Sequence, residues 1–459
     1  MEAGSFGTQQ ATAAISGGTQ TGDVFLSATQ YKTDGISAAN VNDGNTEKDG
    51  YQNQDIHFRG GVNILPDLRL DLVLKKVQTD TQYDGYPAPN YSLTDAQNRT
   101  KGEQDAAKIK LNWLSEDAQW EHSLGLERSQ QDHQHYKENG QFDRQSDSQK
   151  DKQSYQGSYY FAEDSYPQQL TLALEKETDR YHNETAIAGE QQINTLSGVV
   201  EYGINVNDSF YSTLALRQDD SDQYKTANTY RIALTAWASD SVRLHASQGT
   251  GVKNPSFIEL YGYGSSTLGN PDLRQEQNLT QDLGLEYHFE SLDGFADITL
   301  FHSDIDNLIS YQYDSSTFKG KNFNVAKASI KGAELSLALQ ANQQHRLNAS
   351  YTYTDTDDGK GKSLARRASH IASLNHHFLF ANDKTSLTTG WQYNGKQQDA
   401  GETLAAFNLV NLALAHNYSK QFSLYARVEN LLDTDYEEVA GFGTRGRSFT
   451  LGIKLDGAL

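Results

Sequence analysis

Histidine offers the most versatile chemistry among the side chains of this sequence, but its spacing does not predict a catalytic or metal centre. His133 and His135 lie two residues apart in the polar stretch QDHQHYKEN, where two imidazoles could bind a metal but are more often solvated. His376 and His377 are adjacent in an alternating stretch, so their rings face opposite sides and cannot chelate one ion together. No GxSxG, HExxH, P-loop or GxGxxG motif occurs in a fitting context. The chain is therefore not expected to be an enzyme.

Composition excludes further classes of function. The 459 residues include 39 Lys and Arg against 60 Asp and Glu, a net charge of -21, so a nucleic-acid partner is not expected. There is no Cys, and hence no disulfide framework and no thiolate metal site. No apolar run approaches the roughly 18 residues of a membrane helix.

Strict alternation of apolar and polar residues runs through this chain, although its mean hydropathy is only -0.72. In LPDLRLDLVLKKVQ, the leucines at even positions from 68 to 74 share one face of a strand. The pattern recurs in DVFLSATQ, QQLTLALEK, FADITLFHS, GAELSLALQ and SFTLGIKL. We predict that Leu70 and Leu72 contact lipid, whereas Arg69 and Asp71 face a polar lumen.

The connections between these stretches alternate between two lengths. Short ones such as SEDA, SDS and ANDK are separated by long polar ones such as TDGISAANVNDGNTEKDGYQNQD. Short turns on one rim and long loops on the other are typical of outer-membrane β-barrels, and lipid requires the sheet to close on itself. A soluble β-sandwich or β-solenoid also alternates, but its connections would not segregate so regularly. We predict an all-β fold, a large antiparallel transmembrane β-barrel over residues 1–459.

Two blocks of the sequence carry a family resemblance. The first is TGVKNPSFIELYGYGSSTLGNPDLRQEQNLTQDLGLEYHF at 250–289, and the second is FSLYARVENLLDTDYEEVAGFGTRGRSFTLGIKL near the end. They resemble the barrel signature and the final hairpin of TonB-dependent outer-membrane receptors, and the likeness extends in order over essentially the whole chain. The step Asn270-Pro271-Asp272 is a turn, with Pro fixing φ, and we expect such residues to be architectural.

Within that family the chain is most similar to the vitamin B12 (cobalamin) receptors, on the stretches TDGISAANVNDGNTEKDGYQN, GVKNPSFIELYGYG and NVAKASIKGAELS. The resemblance implies that acids of two early external loops bind calcium and order the substrate site. Glu47 and Asp49 lie where one acidic pair would be, and Asp84 and Asp95 are candidates in the next loop; Ser37 stands near a place where an acid would be expected. Calcium takes six to eight oxygen ligands, which neighbouring loops could supply, although acids in turns are also often simply solvated.

Tyrosine is abundant, with 26 residues. Its first explanation is the interfacial girdle of a barrel. Four loop tyrosines, Tyr83, Tyr86, Tyr261 and Tyr263, are also candidates for contact with a bulky ligand, because an amphipathic ring suits that use. The sequence alone does not separate the two roles.

The start of the chain departs from the family pattern, in which an N-terminal plug fills a 22-stranded barrel. There is no room for a plug before Gly4, and counting turns gives about 21 strands. We therefore expect the plug domain and the first strand to be absent, with Met1 at the outer rim. The strand at 9–16 should then lie beside the final strand at 447–455 across a widened gap or a strained seam.

The resemblance implies the barrel portion of an outer-membrane TonB-dependent transporter for a large scarce nutrient, with cobalamin the expected ligand. A siderophore (ferric chelate) receptor and a passive porin-like channel remain open. The expected partners are cobalamin or another metal chelate, outer-membrane lipid and lipopolysaccharide, with TonB engaged only through the missing plug. A monomer in the bacterial outer membrane is expected, with loop-bound calcium and no organic cofactor.

Overall fold

The chain folds almost entirely into extended strands, as the alternation predicts. The computed structural model describes residues 1–87, 92–161, 166–184, 189–206, 208–264, 266–325, 327–380 and 382–457. Within these ranges the helices are a 3-10 turn at Val41–Asp43 and the short α1 at Phe257–Tyr261. None of the described helices is long and apolar enough to cross a membrane.

Across the described residues, 22 strands pair into one closed antiparallel sheet, which confirms the predicted fold class. These barrel strands are β1 (Glu2–Gly4), β2 (Thr8–Gly18), β3 (Gly22–Thr33), β4 (Tyr51–Leu65), β5 (Leu68–Gly85), β6 (Thr94–Leu114), β7 (Trp120–Tyr136), β8 (Phe142–Phe161), β9 (Gln168–Asn183), β10 (Gln191–Val206), β11 (Phe210–Ser221), β12 (Ala227–Ser239), β13 (Val242–Lys253), β16 (Glu276–Phe289), β17 (Gly294–Asp306), β20 (Lys327–Gln340), β21 (His345–Asp357), β22 (His370–Leu379), β23 (Thr385–Asn394), β26 (Phe407–Asn417), β27 (Phe422–Glu429) and β28 (Ser448–Leu455).

Six short strands lie in the long loops. A four-stranded sheet is built from β14 (Gly262–Tyr263), β15 (Thr267–Leu268), β18 (Ile309–Asp314) and β19 (Lys319–Asn324). A separate hairpin pairs β24 (Gln397–Asp399) with β25 (Glu402–Leu404). Because β14 and β15 come from one loop and β18 and β19 from another, the first sheet ties two loops together at the outer mouth.

The predicted seam is wrong, because β1 fills it. Glu2 pairs with Gly452 of β28 and with Gln10 of β2, so the sheet closes through a three-residue strand. Met1 exchanges two backbone hydrogen bonds with Ile453, of 3.0 and 2.9 Å, and therefore lies within the wall rather than at the outer rim.

Local chemistry explains the closure. Phe6 and Gly7 both have positive φ, at 58° and 66°, which reverses the chain in a tight outer turn between β1 and β2. The Glu2 carboxylate accepts hydrogen bonds of 2.9 Å from Arg427 and from the Tyr425 hydroxyl. A charged pair on the lumen side thus anchors the short strand.

The two faces of the sheet differ as predicted. The outward face carries a band of exposed aliphatic side chains, such as Leu74, Leu126 and Leu174. The inward face carries ion pairs; Arg69 bonds Asp71 at 2.8 Å, and Arg243 binds Glu286 through two hydrogen bonds of 2.9 and 2.6 Å. An apolar exterior and a polar interior are what a barrel in lipid requires.

Candidate metal and ligand site

A group of three carboxylates lies at the outer mouth, where the loop at 34–50 meets the end of β5. One ligand oxygen from each of Glu47, Asp49 and Asp84 lies within 4.8 Å of the others. The pairing of β5 with β6 is irregular between Tyr83 and Gly85, and at this point the Asp84 carboxylate contacts Ser37 and Ala39 of the loop. It is only 6% exposed. The structure therefore brings together three of the four acids predicted from sequence.

Asp84 is the fixed member of this carboxylate group. Its oxygens accept hydrogen bonds from the backbone amides of Ala39 at 2.6 Å and Ala96 at 2.8 Å, and from the Ser37 hydroxyl at 3.0 Å. Burial alone would raise the pKa of Asp84, but these donors outweigh it and hold the pKa below its ordinary value. Asp84 is thus held in place as an anion.

Glu47 and Asp49 have the opposite character. One oxygen of each, Glu47 Oε1 and Asp49 Oδ1, is buried without a hydrogen-bond partner. Burial, with the neighbouring carboxylates, raises the pKa of Glu47 to about 8. Burial also raises the pKa of Asp49 to about 6, although the Ala38 amide, which donates to the other oxygen of Asp49, lowers that pKa. Buried, mutually repelling oxygens with no donor are the chemistry that a hard divalent cation relieves.

Asp95 lies beside the group and engages the loop backbone. Its oxygens accept hydrogen bonds from the amides of Thr46 at 3.0 Å and Glu47 at 3.4 Å, and from the Ser37 hydroxyl at 3.2 Å. Through these contacts Asp95 holds the loop segment that carries Glu47. Direct binding of a cation by Asp95 stays a prediction. The hydroxyl of Ser37, which stands near a place where an acid was expected, lies within hydrogen-bond distance of both Asp84 and Asp95 and can donate its one proton to either carboxylate.

The four tyrosines predicted to contact a ligand fall into two separate groups. Tyr83 and Tyr86 flank the carboxylate group at the end of β5, and Tyr86 is 56% exposed. Tyr261 ends α1 and packs on Phe257, with 6.2 Å between ring centroids. Tyr263 is held by two hydrogen bonds of 3.0 Å, with Arg144 and His135. Tyr261 and Tyr263 thus have structural contacts of their own.

His135 is not a solvated member of a metal pair. One ring nitrogen bonds the Tyr263 hydroxyl, and the other bonds Thr100 at 2.9 Å. Burial and the charge of Arg144 lower the pKa of His135. Both ring nitrogens are therefore used in hydrogen bonds that join β7 to β6 and to the loop strand β14.

A row of three tyrosines lies on the lumen wall, made of Tyr31, Tyr51 and Tyr83, of which only Tyr83 was predicted from sequence to contact a ligand. These residues lie on the adjacent strands β3, β4 and β5 at inward-facing positions of the alternation. The rings of Tyr31 and Tyr51 have centroids 5.9 Å apart. Tyr83 directly precedes Asp84 in β5, so the row ends at the strand position next to the carboxylate group. The alternation in sequence carries a signal for this row, because it places each of these tyrosines near a strand end and on the inward face.

A second missed feature, the loop latch, joins the loop at 34–50 to the last long loop, at 430–447. Asn40 donates to the Glu437 carboxylate, and Asn42 donates to Asp435 at 2.7 Å. Backbone bonds of 2.9 Å run from Asn40 N to Gly441 O and from Gly443 N to Ala38 O. The loop that carries Glu47 and Asp49 is therefore fastened across the barrel seam.

We expect Glu437→Ala to loosen this latch. Losing a hydrogen bond to a charged acceptor costs about 1.5–3 kcal/mol, which corresponds to a local-opening equilibrium roughly 10- to 100-fold larger. Amide hydrogen exchange at Asn40 and Gly443, whose N–H groups span the latch, measures it. Glu438→Ala is the matched control, and equal protection in both variants would contradict the latch.

Cation binding should depend on pH in two steps, because a cation binds ionised carboxylates and displaces their protons. Affinity should be constant above pH 8, fall about tenfold per pH unit between 8 and 6 as Glu47 takes up a proton, and fall about 100-fold per unit below 6 as Asp49 follows. Calorimetric titration of calcium at several pH values measures this. An affinity that stays level across the interval would contradict the two raised pKa values.

Comparison with known proteins defines the class of this barrel. The sequence model of the family described as TonB dependent receptor-like, beta-barrel matches residues 3–431. The chain belongs to that family, and it is a barrel of the bacterial outer membrane.

The chain is also similar in sequence to individual members of the family. The chain is 32% identical over 244 residues to the vitamin B12 transporter BtuB of Photobacterium profundum, and 31% identical over 248 residues to that of Vibrio cholerae. These matches cover 51% and 52% of this chain, but only 39% of each relative.

Solved structures show the same fold. The siderophore receptor PirA of Acinetobacter baumannii superposes with a TM-score of 0.82 at 16% identity, covering 98% of this chain and 77% of that one. A mutant of the ferric enterobactin receptor PfeA of Pseudomonas aeruginosa gives 0.82 at 17%, with coverages of 98% and 77%.

Proposed function

We propose that this chain is the barrel of an energised outer-membrane transporter, and that its substrate is cobalamin, recognised at a mouth ordered by calcium. Glu47, Asp49 and Asp84 would hold the cation, with Asp95 beside them. The tyrosine row would offer flat, amphipathic surfaces to a large ring-shaped ligand. The named relatives, which are vitamin B12 transporters, support the same assignment.

The observation that carries the proposal is the pair of buried, unpartnered oxygens on Glu47 and Asp49. Leaving such groups unsatisfied is costly, so a fold retains them where an ion completes the site. Calcium is the cation proposed, because the donors are all carboxylate oxygens, which hard cations prefer.

A siderophore receptor is the second candidate, and the solved structures that share the fold include such receptors. Ferric catecholates are anionic, whereas this chain has a net charge of -21 and places carboxylates at its mouth. Electrostatics therefore favours the less charged cobalamin. A passive porin-like channel would need neither the carboxylate group nor the tyrosine row.

Calorimetric competition between cyanocobalamin and ferric enterobactin separates these candidates, with calcium present throughout. The proposal predicts saturable cobalamin binding that ferric enterobactin does not displace. If only ferric enterobactin binds saturably, the substrate is a siderophore and not cobalamin. If neither ligand binds, and liposomes that contain the protein are permeable to sugars, the protein is a passive channel.

A further inference from the structure

Two histidines meet across neighbouring strands at the inner rim of the barrel, the rim formed by the short turns. His345 is the first residue of β21, directly after the turn at 341–344, and His376 lies on β22. In the register of the sheet His345 is opposite Phe378, and Leu347 is opposite His376. The two histidines are therefore diagonal neighbours on one face of the sheet, and we call them the histidine pair.

The histidine pair lies on the outward face of the wall. Leu347 is opposite Leu339 of β20, which shares a face with Leu335, a side chain that is 45% exposed. On β22 the outward Leu374 precedes His376 by two residues. The pair therefore lies where the apolar band ends next to the short turn, within reach of ions dissolved in the water at that rim.

The ring geometry of the histidine pair suits two ligands of one ion. Nδ1 of His345 and Nε2 of His376 are 2.9 Å apart, and the ring planes differ by only 3°. Two imidazole nitrogens that lie about 2.0–2.1 Å from a metal ion and at right angles to each other are also about 2.9 Å apart. A tetrahedral ion would hold them about 3.3 Å apart. The spacing therefore fits neighbouring positions of a square-planar or tetragonal ion.

The surrounding structure holds His345 in place before any ion binds. Its backbone amide donates to the Asn342 side chain at 3.0 Å, and its carbonyl accepts the Ala341 amide at 2.9 Å. Its ring stacks on Phe378, with 4.6 Å between ring centroids. Because the turn and the stacked ring fix this ligand, metal binding would order few side-chain torsions.

Binding of a metal requires one proton to change its position. A neutral imidazole carries a proton on one nitrogen and binds a metal through the other. In the metal-free pair, one of the two facing nitrogens donates a hydrogen bond to the other. With an ion between them both facing nitrogens are unprotonated, and the proton of the donor ring moves to the opposite nitrogen of the same ring. Both imidazoles stay neutral.

We propose that His345 and His376 form a binding site for copper(II), with water completing the coordination of the ion. Imidazole suits copper, and copper binds nitrogen ligands more tightly than the other divalent first-row metals do. Its tetragonal geometry also matches the spacing of the histidine pair. The ion would link β21 to β22 at the inner rim. This site is separate from the carboxylate group at the outer mouth and does not depend on the proposed function.

Substitution of either histidine tests the site, with copper(II) chloride as the probe and the folded protein in detergent. His377→Gln is the matched control, because His377 is adjacent to His376 but faces the lumen, where its Nδ1 lies 3.1 Å from the Thr388 hydroxyl. We expect calorimetry to show at least tenfold weaker copper binding in His345→Gln and in His376→Gln, and unchanged binding in His377→Gln. Unchanged binding in His376→Gln, or an equal loss in His377→Gln, would overturn the proposal.

The unmutated protein provides a second test that does not depend on the folding of a variant. With less than one equivalent of copper(II), the electron paramagnetic resonance spectrum should show coupling of the copper to two imidazole nitrogens. Excess calcium should leave this spectrum unchanged, because the carboxylate group is not involved. Coupling to fewer than two nitrogens, or loss of the spectrum on addition of calcium, would overturn the assignment.

Discussion

Replacing Asp49 by alanine is expected to weaken calcium binding by about 100-fold, equivalent to about 2.8 kcal/mol. The substitution removes one of three clustered carboxylates, and calcium affinity follows the number of charged ligands. Asp43→Ala is the control, because Asp43 belongs to the same loop but lies outside the carboxylate group. Calorimetric titration of both variants measures the difference, and an equal loss would show that only general loop charge matters.

The same variant should weaken cobalamin binding through loss of loop order. Asp49 also accepts the Ala38 amide at 2.7 Å, and Ala38 belongs to the segment joined to the last loop. Loss of the cation should therefore loosen the loop at 34–50 together with its latch. Amide hydrogen exchange in that loop should increase as cobalamin binding weakens. Weaker cobalamin binding with unchanged exchange would show that loss of loop order is not the cause.

The second large effect concerns the lipid face. Leu124 is 54% exposed and lies on β7 halfway between the outward residues Trp120 and Arg128. Leu124→Arg is expected to destabilise the barrel by about 2–4 kcal/mol, the cost of a cation near the bilayer midplane. Denaturant titration of the protein in lipid vesicles measures this.

Ser123→Arg is the matched control for that substitution. Ser123 is the adjacent residue on the lumen face, opposite Asn112 and Gln156 in the register of the sheet. Its replacement should cost much less, because the new cation meets polar groups and water. Equal destabilisation by the two variants would contradict the assignment of faces.

The barrel could be predicted from sequence because alternation is a local signal. In β5, each leucine at an even position reports the lipid face without knowledge of its neighbours, and the observed pairing of Leu72 with Ile109 agrees. The carboxylate group was predicted from a likeness of two loops to a known family, and three of its four members converge. The structure supplied their difference in ionisation, which depends on which backbone amides reach each carboxylate.

The remaining features depend on contacts between distant parts of the chain. Asn40 and Glu437 meet across 397 residues, and no local pattern marks either as a partner. Glu2 and Arg427 likewise close the seam only once β1 lies beside β28. The expected gap is absent because Glu2–Gly4 form a short strand, and two residues with positive φ, Phe6 and Gly7, let the chain turn tightly into β2.

Calorimetry of cyanocobalamin binding, with calcium and after its removal by chelation, tests most directly whether calcium orders the cobalamin site. We expect saturable binding with calcium and binding at least tenfold weaker without it, together with calcium binding in the absence of cobalamin. If calcium neither binds this protein nor changes its affinity for cobalamin, the proposed role of Glu47, Asp49 and Asp84 is wrong.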